Sequence, residues 1–303
     1  MGTIRLGTCS WKYPSWEGLV YSSREPADFL AEYSEKYDAV EVDQWFWSLG
    51  KGGKAALPRP ETVREYDAAT PPDFRFVAKC PNALTLTRPY ARGAAKGATP
   101  EANPRFLDAS LALAWVEALG PLVPKVGLHV LQFEYLNKEK MPGGKAEFLD
   151  RLGSFLEALP ADLPWAVEIR NPRWFDDAWL EFLRERRVAP VFLQGYWMDD
   201  AAGLLRLAAG RLDPKGPPAC LRLHGEDREG MEERTGEDWS RIVRPKDEEL
   251  ARLVPAARAL ADTVASGIEA AEGIGLFLNI NNHYEGSAPL TLGKAGKLLE
   301  TNP

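Results

Sequence analysis

Cysteine and histidine are scarce in this chain, with three of each among 303 residues. The cysteines Cys9, Cys80 and Cys220 form no C-x-x-C pair, so we predict no disulfide framework and expect a reducing, cytoplasmic environment. No apolar run approaches the roughly 18 residues that a membrane-spanning helix needs, so no membrane association is predicted. The N-terminal stretch 1–11 has little basic charge and no long apolar segment, which predicts no secretory signal there.

An excess of positive charge is missing too. Lys and Arg number 37 against 44 Asp and Glu, which gives a net charge of −7. This balance argues against broad binding to nucleic acids or anionic membranes, although it does not exclude a local basic pocket. The first predicted strand is followed by G-T-C-S-W rather than a Gly-rich phosphate loop, which argues against an open dinucleotide-binding sheet. No motif predicts a cofactor.

What the chain does contain is a regular alternation of strand-like and helix-like segments. Eight short apolar runs have the composition of strands, and they begin near Ile4, Ala39, Phe74, Val126, Trp165, Pro190, Ala219 and Ile274. Helical periodicity is present over 26–36, 61–68, 104–119, 145–159, 176–187 and 247–265, and more weakly over 200–209 and 289–299. This order predicts an α/β fold, a single (β/α)8 barrel of the TIM type spanning 1–303. We expect long loops near 80–103 and 225–246 to lie over its mouth.

Hydrophobic and ionisable side chains alternate along the predicted strands. In the second strand, for example, Val40 and Val42 have one parity while Glu41 and Asp43 have the other. Because successive strand side chains point to opposite faces, closing the sheet sends one set inward, near the carboxyl-end rim. The residues predicted to converge there are Glu41, Asp43, Lys79, Glu168, Arg170, Arg222, His224, Asn279, Asn281 and His283. A purely structural layer of salt bridges is the alternative interpretation.

Acidic and basic groups gathered in one cleft are what acid–base catalysis needs. We therefore predict an enzyme of the hydrolase, isomerase or lyase type that acts on a small polar or anionic molecule. Glu168 or Glu41 would be the general base, and His224 or His283 the general acid. The substrate-binding candidates are the cations Lys79, Arg170 and Arg222, which suit a carboxylate or phosphate, with Asp43, Asn281, Asn282 and the pocket wall Trp11.

Other functions fit the same residues. A non-catalytic barrel that binds a small ligand would show the same pocket with every carboxylate locked in an ion pair. A glycoside hydrolase would use Glu41 and Glu168 with carboxyl groups roughly 5 to 9.5 Å apart. A metal-dependent barrel resembling sugar isomerases or nucleases is a third alternative, but without H-x-H or H-E-x-x-H spacing we predict no metal site. Cys9 is interpreted as a packed thiol and His129 as a core histidine.

Seven short segments in a fixed order connect the chain to a known family. They are G-T-C-S-W (7–11), V-E-V-D (40–43), F-R-F-V-A-K-C-P (74–81), L-G-P-L (119–122), A-V-E-I-R-N-P-R-W-F (166–175), L-R-L-H-G (221–225) and N-N-H-Y-E-G (281–286). Through them the chain resembles, over nearly its whole length, the YecE-like proteins of domain of unknown function 72. The resemblance implies a TIM barrel and leaves the reaction open, since the family has no established activity.

The resemblance also shows where this chain is typical of the family and where it departs. The residues that match the family's motifs are Glu41, Lys79, Glu168, Arg170, Arg222, His224, Asn282 and His283. Asp43 stands where the family usually has Asn, and the segments 44–47 and 132–135 and residue Leu86 also differ. Since these departures fall in predicted mouth loops, we expect a substrate that differs from that of typical members.

Overall fold

The computed structural model of this chain describes residues 2–90, 101–198, 200–225, 227–265 and 273–301. Within these ranges eight parallel strands close into one barrel in chain order, with β8 pairing back to β1. The strands are β1 (Thr3–Cys9), β2 (Ala39–Val42), β3 (Arg75–Lys79), β4 (Val126–Gln132), β5 (Trp165–Glu168), β6 (Ala189–Gly195), β7 (Ala219–Gly225) and β8 (Ile274–Ile280). Each predicted strand is present and begins within one residue of its expected position, so the predicted TIM barrel is confirmed.

Helices alternate with these strands along the described chain. They are α1 (Phe29–Ser34), α2 (Pro60–Ala68), α3 (Ala109–Leu119), α4 (Gly144–Glu157), α5 (Asp177–Glu185), α6 (Ala201–Ala208), α7 (Arg228–Thr235), α8 (Asp247–Ala265) and α9 (Ala288–Thr301). Two begin later than their periodicity predicts, because an aspartate caps each of them. Asp28 accepts from Leu30 N at 2.8 Å, and Asp108 accepts from Ser110 N at 2.9 Å.

The two predicted mouth loops follow β3 and β7. Residues 91–100 of the first and Glu226 of the second lie outside the described residues. The second loop contains α7, a helix that the sequence did not predict because its charged residues leave no apolar stripe. Asp227 caps α7 by accepting from Gly230 N, and Gly236 ends it in the left-handed conformation at φ 60°.

The lower part of the barrel interior is apolar. The side chains that fill it are Ala39, Val77, Leu128, Val130, Ala166, Ala189, Val191, Cys220 and Phe277. Gly127 makes room for Phe277, since a Cβ at that position would lie 2.4 Å from the ring. These residues point to the same face of the sheet as the ionisable groups nearer the carboxyl ends of the strands. The charged site therefore lies directly above an apolar layer of the barrel interior. None of the described helices combines the length and apolarity needed to cross a bilayer.

Candidate functional site

Arg222 is the centre of a buried cluster of ions inside the barrel. Arg222 lies on β7 and is 1% exposed. Nε and Nη2 donate to the two carboxylate oxygens of Glu41, each at 2.6 Å, while Nη1 donates to Glu168 and, at 3.1 Å, to Gln132 Oε1. We refer to Arg222, Glu41, Glu168 and Gln132 as the charged layer. Because the guanidinium fork is filled by these partners, the layer satisfies most of its own hydrogen bonds.

Glu168 has a second cation at the end of its own strand. Arg170 donates from Nε to Glu168 at 3.0 Å, and its guanidinium lies 5.0 Å from the ring centroid of Tyr196. Burial alone would raise the pKa of Glu168, but Arg222 and Arg170 outweigh it and hold that pKa below its usual range. Glu168 is therefore an ionised carboxylate that stabilises two arginines.

Lys79 differs from Arg222, Glu41 and Glu168 because it forms no ion pair with any residue that the structure describes. It is the last residue of β3 and 6% exposed, and its ammonium lies 4.3 Å from the centre of the Phe46 ring. Within the described ranges, no carboxylate oxygen lies within 4.0 Å of its Nζ. Burial lowers the pKa of Lys79, and Arg222 lowers it further, against the opposing effect of nearby carboxylates such as Glu41. A buried cation without a partner is costly, so this position favours a bound anion or a neutral amine.

His224 lies two residues beyond Arg222 on the same face of β7. Its Nε2 is 3.6 Å from Cys9 Sγ, and its ring centroid is 5.8 Å from that of Tyr196. Burial lowers the pKa of His224 well below its ordinary value, and the charges of Arg222 and Lys79 act in the same direction. The imidazole is therefore neutral at pH 7.

Asp43 provides a carboxylate outside the charged layer. It directly follows β2, is half-buried, and has no ion pair among the residues that the structure describes. Burial raises the pKa of Asp43, while the positive charge of Lys79 partly opposes that rise. Asp43 is thus more easily protonated than an ordinary aspartate, unlike Glu168.

His283 and Asn281 lie at the edge of the site rather than in the charged layer. His283 follows β8 in a 3-10 helix, Asn282–Tyr284, and its Nε2 is 3.1 Å from Glu232 on α7. Asn281 accepts from His283 N at 2.9 Å and also contacts the ring Nδ1. Burial lowers the pKa of His283, against the opposing effect of Glu232. His283 thus links α7 to the end of β8, and Asn281 orients its ring.

Two other substrate-binding candidates make contacts away from the charged layer. Trp11 is 3% exposed and packs edge to face on Tyr66, with ring centroids 5.1 Å apart. Asn282 is buried, and its Oδ1 accepts from Ala288 N at 2.9 Å, where α9 begins. Trp11 therefore packs in the core, and Asn282 caps the start of a helix.

Cys9, Glu41 and His224 could together offer ligand atoms to a metal ion, since one such atom from each lies within 4.8 Å of the others. Both oxygens of Glu41 already accept from Arg222, however, and the same guanidinium would repel a divalent cation. Burial also raises the pKa of the Cys9 thiol, and Glu41 raises it further, which disfavours the thiolate that binds metals. The donor set therefore fits a metal poorly.

Two residues of the site, Gln132 and Tyr196, were not anticipated from the sequence. Gln132 belongs to the charged layer, and it shares the inward parity of Val130, so the alternation test applied to β4 would have found it. Tyr196 contacts both Arg170 and His224 and holds a left-handed conformation, φ 54°. No sequence pattern announces that conformation, which is uncommon for a bulky residue.

Exposed aromatic pairs flank the charged layer on loops that follow the strands. Trp197, which is 63% exposed, lies 6.4 Å from Tyr135, and both line a groove of about 980 Å³ that also reaches Asn171. A second pair, Trp47 and Tyr90, has ring centroids 5.9 Å apart. Large exposed aromatics grouped around one rim are typical of a binding surface.

A closed (β/α)8 barrel with buried ions of both signs at the carboxyl ends of its strands defines a TIM-barrel protein with a charged mouth. Residues 5–303 match the model of the family described as Protein of unknown function DUF72, and the chain belongs to that family. The resemblance expected from the seven sequence segments is therefore confirmed. The family description leaves the reaction open.

Individual relatives agree with this assignment. The chain is 29% identical over 174 residues to the UPF0759 protein YecE of Escherichia coli (strain K12), a match covering 57% of this chain and 50% of that protein. It thus spans about half the length of this curated relative. A DUF72 family structure from Thermotoga maritima is 20% identical, with a TM-score of 0.63 and coverage of 98% and 99% of the two chains. One from Enterococcus faecalis is also 20% identical, with a TM-score of 0.60 and coverage of 98% and 96%. These structures share the fold.

Proposed function

We propose that this chain is an acid–base enzyme that acts on a small anionic molecule bound at the mouth of the barrel. The observation that carries the proposal is Lys79, a buried cation that lacks a carboxylate partner within the described residues. An anion placed there would supply the missing charge. Arg170 could bind the same anion, because only its Nε is used by Glu168.

The proton-transfer roles are assigned to groups that form no ion pair with the described residues. Glu41 and Glu168 were the general-base candidates, but both bind Arg222, and the pKa of Glu168 lies below its usual range. His224 is neutral and partly exposed, so we assign it the role of base. Asp43 is the carboxylate that can exchange a proton with the bound molecule. The roles first given to Glu41 and Glu168 thus pass to these two residues.

A non-catalytic barrel that binds a small anion is the second candidate. The locked state of Glu41 and Glu168 favours it, since both carboxylates are held in ion pairs with Arg222. The two functions make the same prediction for anion binding and different predictions for His224. Binding and turnover must therefore be measured separately.

Replacing Lys79 by methionine should weaken the binding of small anions by about 10- to 100-fold, because a hydrogen bond to a charged group contributes about 1.5–3 kcal/mol. The measurement is the rise in melting temperature of the protein with increasing inorganic phosphate or pyruvate, with glycerol as the uncharged comparison. At tenfold excess over Kd the native protein should gain about 1.4 kcal/mol. Lys12, exposed in the loop after β1, provides the matched control Lys12→Met. Equal stabilisation of native protein and K79M would contradict the proposed anion site.

Replacing His224 by glutamine should leave phosphate binding nearly unchanged and slow turnover by about 10²- to 10⁴-fold, the contribution of one acid–base group. Loss of C–H proton signals from a mixture of small carboxylates and phosphates in D₂O, followed by NMR, measures proton abstraction directly. Turnover that H224Q leaves intact would exclude His224 as the base. Anion binding without any exchange in the native protein would favour the non-catalytic barrel.

A further inference from the structure

The surroundings of Lys79 indicate the chemistry of the bound anion, an inference that rests on the proposed function. The side chain is enclosed at the carboxyl end of β3, where inward-facing residues of TIM barrels carry catalysis. Its surroundings are the Phe46 ring on one side and the guanidinium of Arg222 among the nearby charges. An apolar wall and a like charge thus oppose the ammonium, while the carboxylates of Glu41, Glu168 and Asp43 partly offset them.

Such surroundings favour the neutral amine more than water does. Burial penalises the charged form, and a neighbouring cation penalises it again, so the pKa of Lys79 falls. A lysine that only anchors an anion needs its positive charge, and a carboxylate within ion-pair distance would preserve that charge. The described residues place none there. A desolvated lysine beside another cation is instead the arrangement that activates an amine as a nucleophile.

We propose that Lys79 forms an imine with the carbonyl carbon of a small anionic aldehyde or ketone. The lone pair of Nζ forms a new bond to the carbonyl carbon, and the carbonyl oxygen takes up a proton to give a carbinolamine. The carbon–oxygen bond then breaks, the oxygen leaves as water, and the carbon–nitrogen double bond forms. Both protons of the amine end on the departing water. No oxidant or reductant is consumed.

The neighbouring residues provide what this step needs. His224, a neutral base on the same mouth, can carry protons from nitrogen to oxygen. Arg170 keeps its Nη groups available for the carboxylate or phosphate of the substrate, since its bond to Glu168 uses Nε. The charged layer below fixes the position of Arg222, whose charge helps to lower the pKa of Lys79. The substrate class is therefore a small oxo acid or a phosphorylated aldehyde or ketone.

Glyoxylate, the smallest anionic aldehyde, together with cyanoborohydride tests the inference. The aldehyde forms the imine, and the hydride donor reduces it to a stable carboxymethyl-lysine that peptide mass spectrometry locates. At neutral pH Lys79 should be modified at least about tenfold faster than the exposed Lys12 in the same sample, because the anion site orients the aldehyde against the amine. Excess inorganic phosphate should slow modification of Lys79 and leave that of Lys12 unchanged.

The outcomes separate this inference from the proposed function. Modification of Lys79 no faster than that of Lys12, while phosphate still stabilises native protein and not K79M, would overturn the imine and leave the anion site in place. Failure of both measurements would remove the proposed function as well. Lys79→Arg carries a permanent positive charge and cannot form the imine, so it should retain phosphate binding and show no adduct at position 79.

Discussion

Replacing Arg222 by methionine should lower the free energy of unfolding by about 3–5 kcal/mol, the usual cost of removing one partner from a buried ion pair. The expected effect is large because the guanidinium serves two carboxylates at once. Glu41 and Glu168 are 1% and 0% exposed, and both would remain in the barrel without their main cation. Urea unfolding of native and variant protein, extrapolated to water, measures the difference.

The matched control is Arg170→Met, because Arg170 also bonds Glu168 but is 20% exposed. Its cost should stay near the roughly 1 kcal/mol typical of ion pairs that water can reach. A triple variant, with Arg222→Met, Glu41→Gln and Glu168→Gln, removes every charge of the layer and should recover most of the lost stability. If R222M and R170M cost the same, Arg222 is not the centre of the layer.

Stability should also fall as the pH drops, and His129 should account for much of the change. This histidine is fully buried on β4, and its Nδ1 accepts from Trp115 Nε1 at 3.3 Å. Burial lowers the pKa of His129 from 6.5 to about 3. The His129 side chain therefore stays neutral in the folded protein, whereas in the unfolded chain it binds a proton below pH 6.5. Folding stability is unaffected above that pH and declines below it, by about 2 kcal/mol at pH 5.

His129→Gln keeps a hydrogen-bond acceptor for Trp115 and cannot be protonated. The loss of unfolding free energy between pH 7 and pH 5 should be about 2 kcal/mol smaller in this variant than in the native protein. Comparing the pH dependence of the two proteins, rather than their stability at one pH, separates protonation from any packing change. Identical pH dependence would show that folding does not lower the pKa of His129 and would contradict this prediction.

The barrel could be predicted from the sequence because strand parity is a local property. Eight alternating runs separated by helical segments fix both the order of the strands and the inward set of side chains. The same rule placed Glu41, Glu168 and Arg222 in one interior, where they bind one another. It could not predict which ions pair, because that depends on distances across the barrel between residues far apart in sequence. Alternation therefore could not distinguish Arg222, which forms ion pairs, from Lys79, which forms none with the described residues.

The rule also fails where a strand ends. Asn282 and His283 lie in a 3-10 helix, where alternation no longer decides direction, and Asn282 bonds the start of α9 instead of facing the charged layer. Trp11 follows β1 and its ring packs in the core. Tyr196 was missed because its position depends on a left-handed backbone. Beyond the last strand position, alternation in the sequence does not predict where a side chain points.

Histidine NMR tests the central claim most directly, because the chain has three histidines and each can be assigned from a single variant. We predict that His224 stays neutral as the pH of the free protein falls through 6.5, since burial and the neighbouring cations lower its pKa. We also predict that inorganic phosphate at the mouth offsets those cations and raises the pKa of His224. A His224 that titrates near 6.5 and does not respond to phosphate would contradict an anion site beside a neutral base.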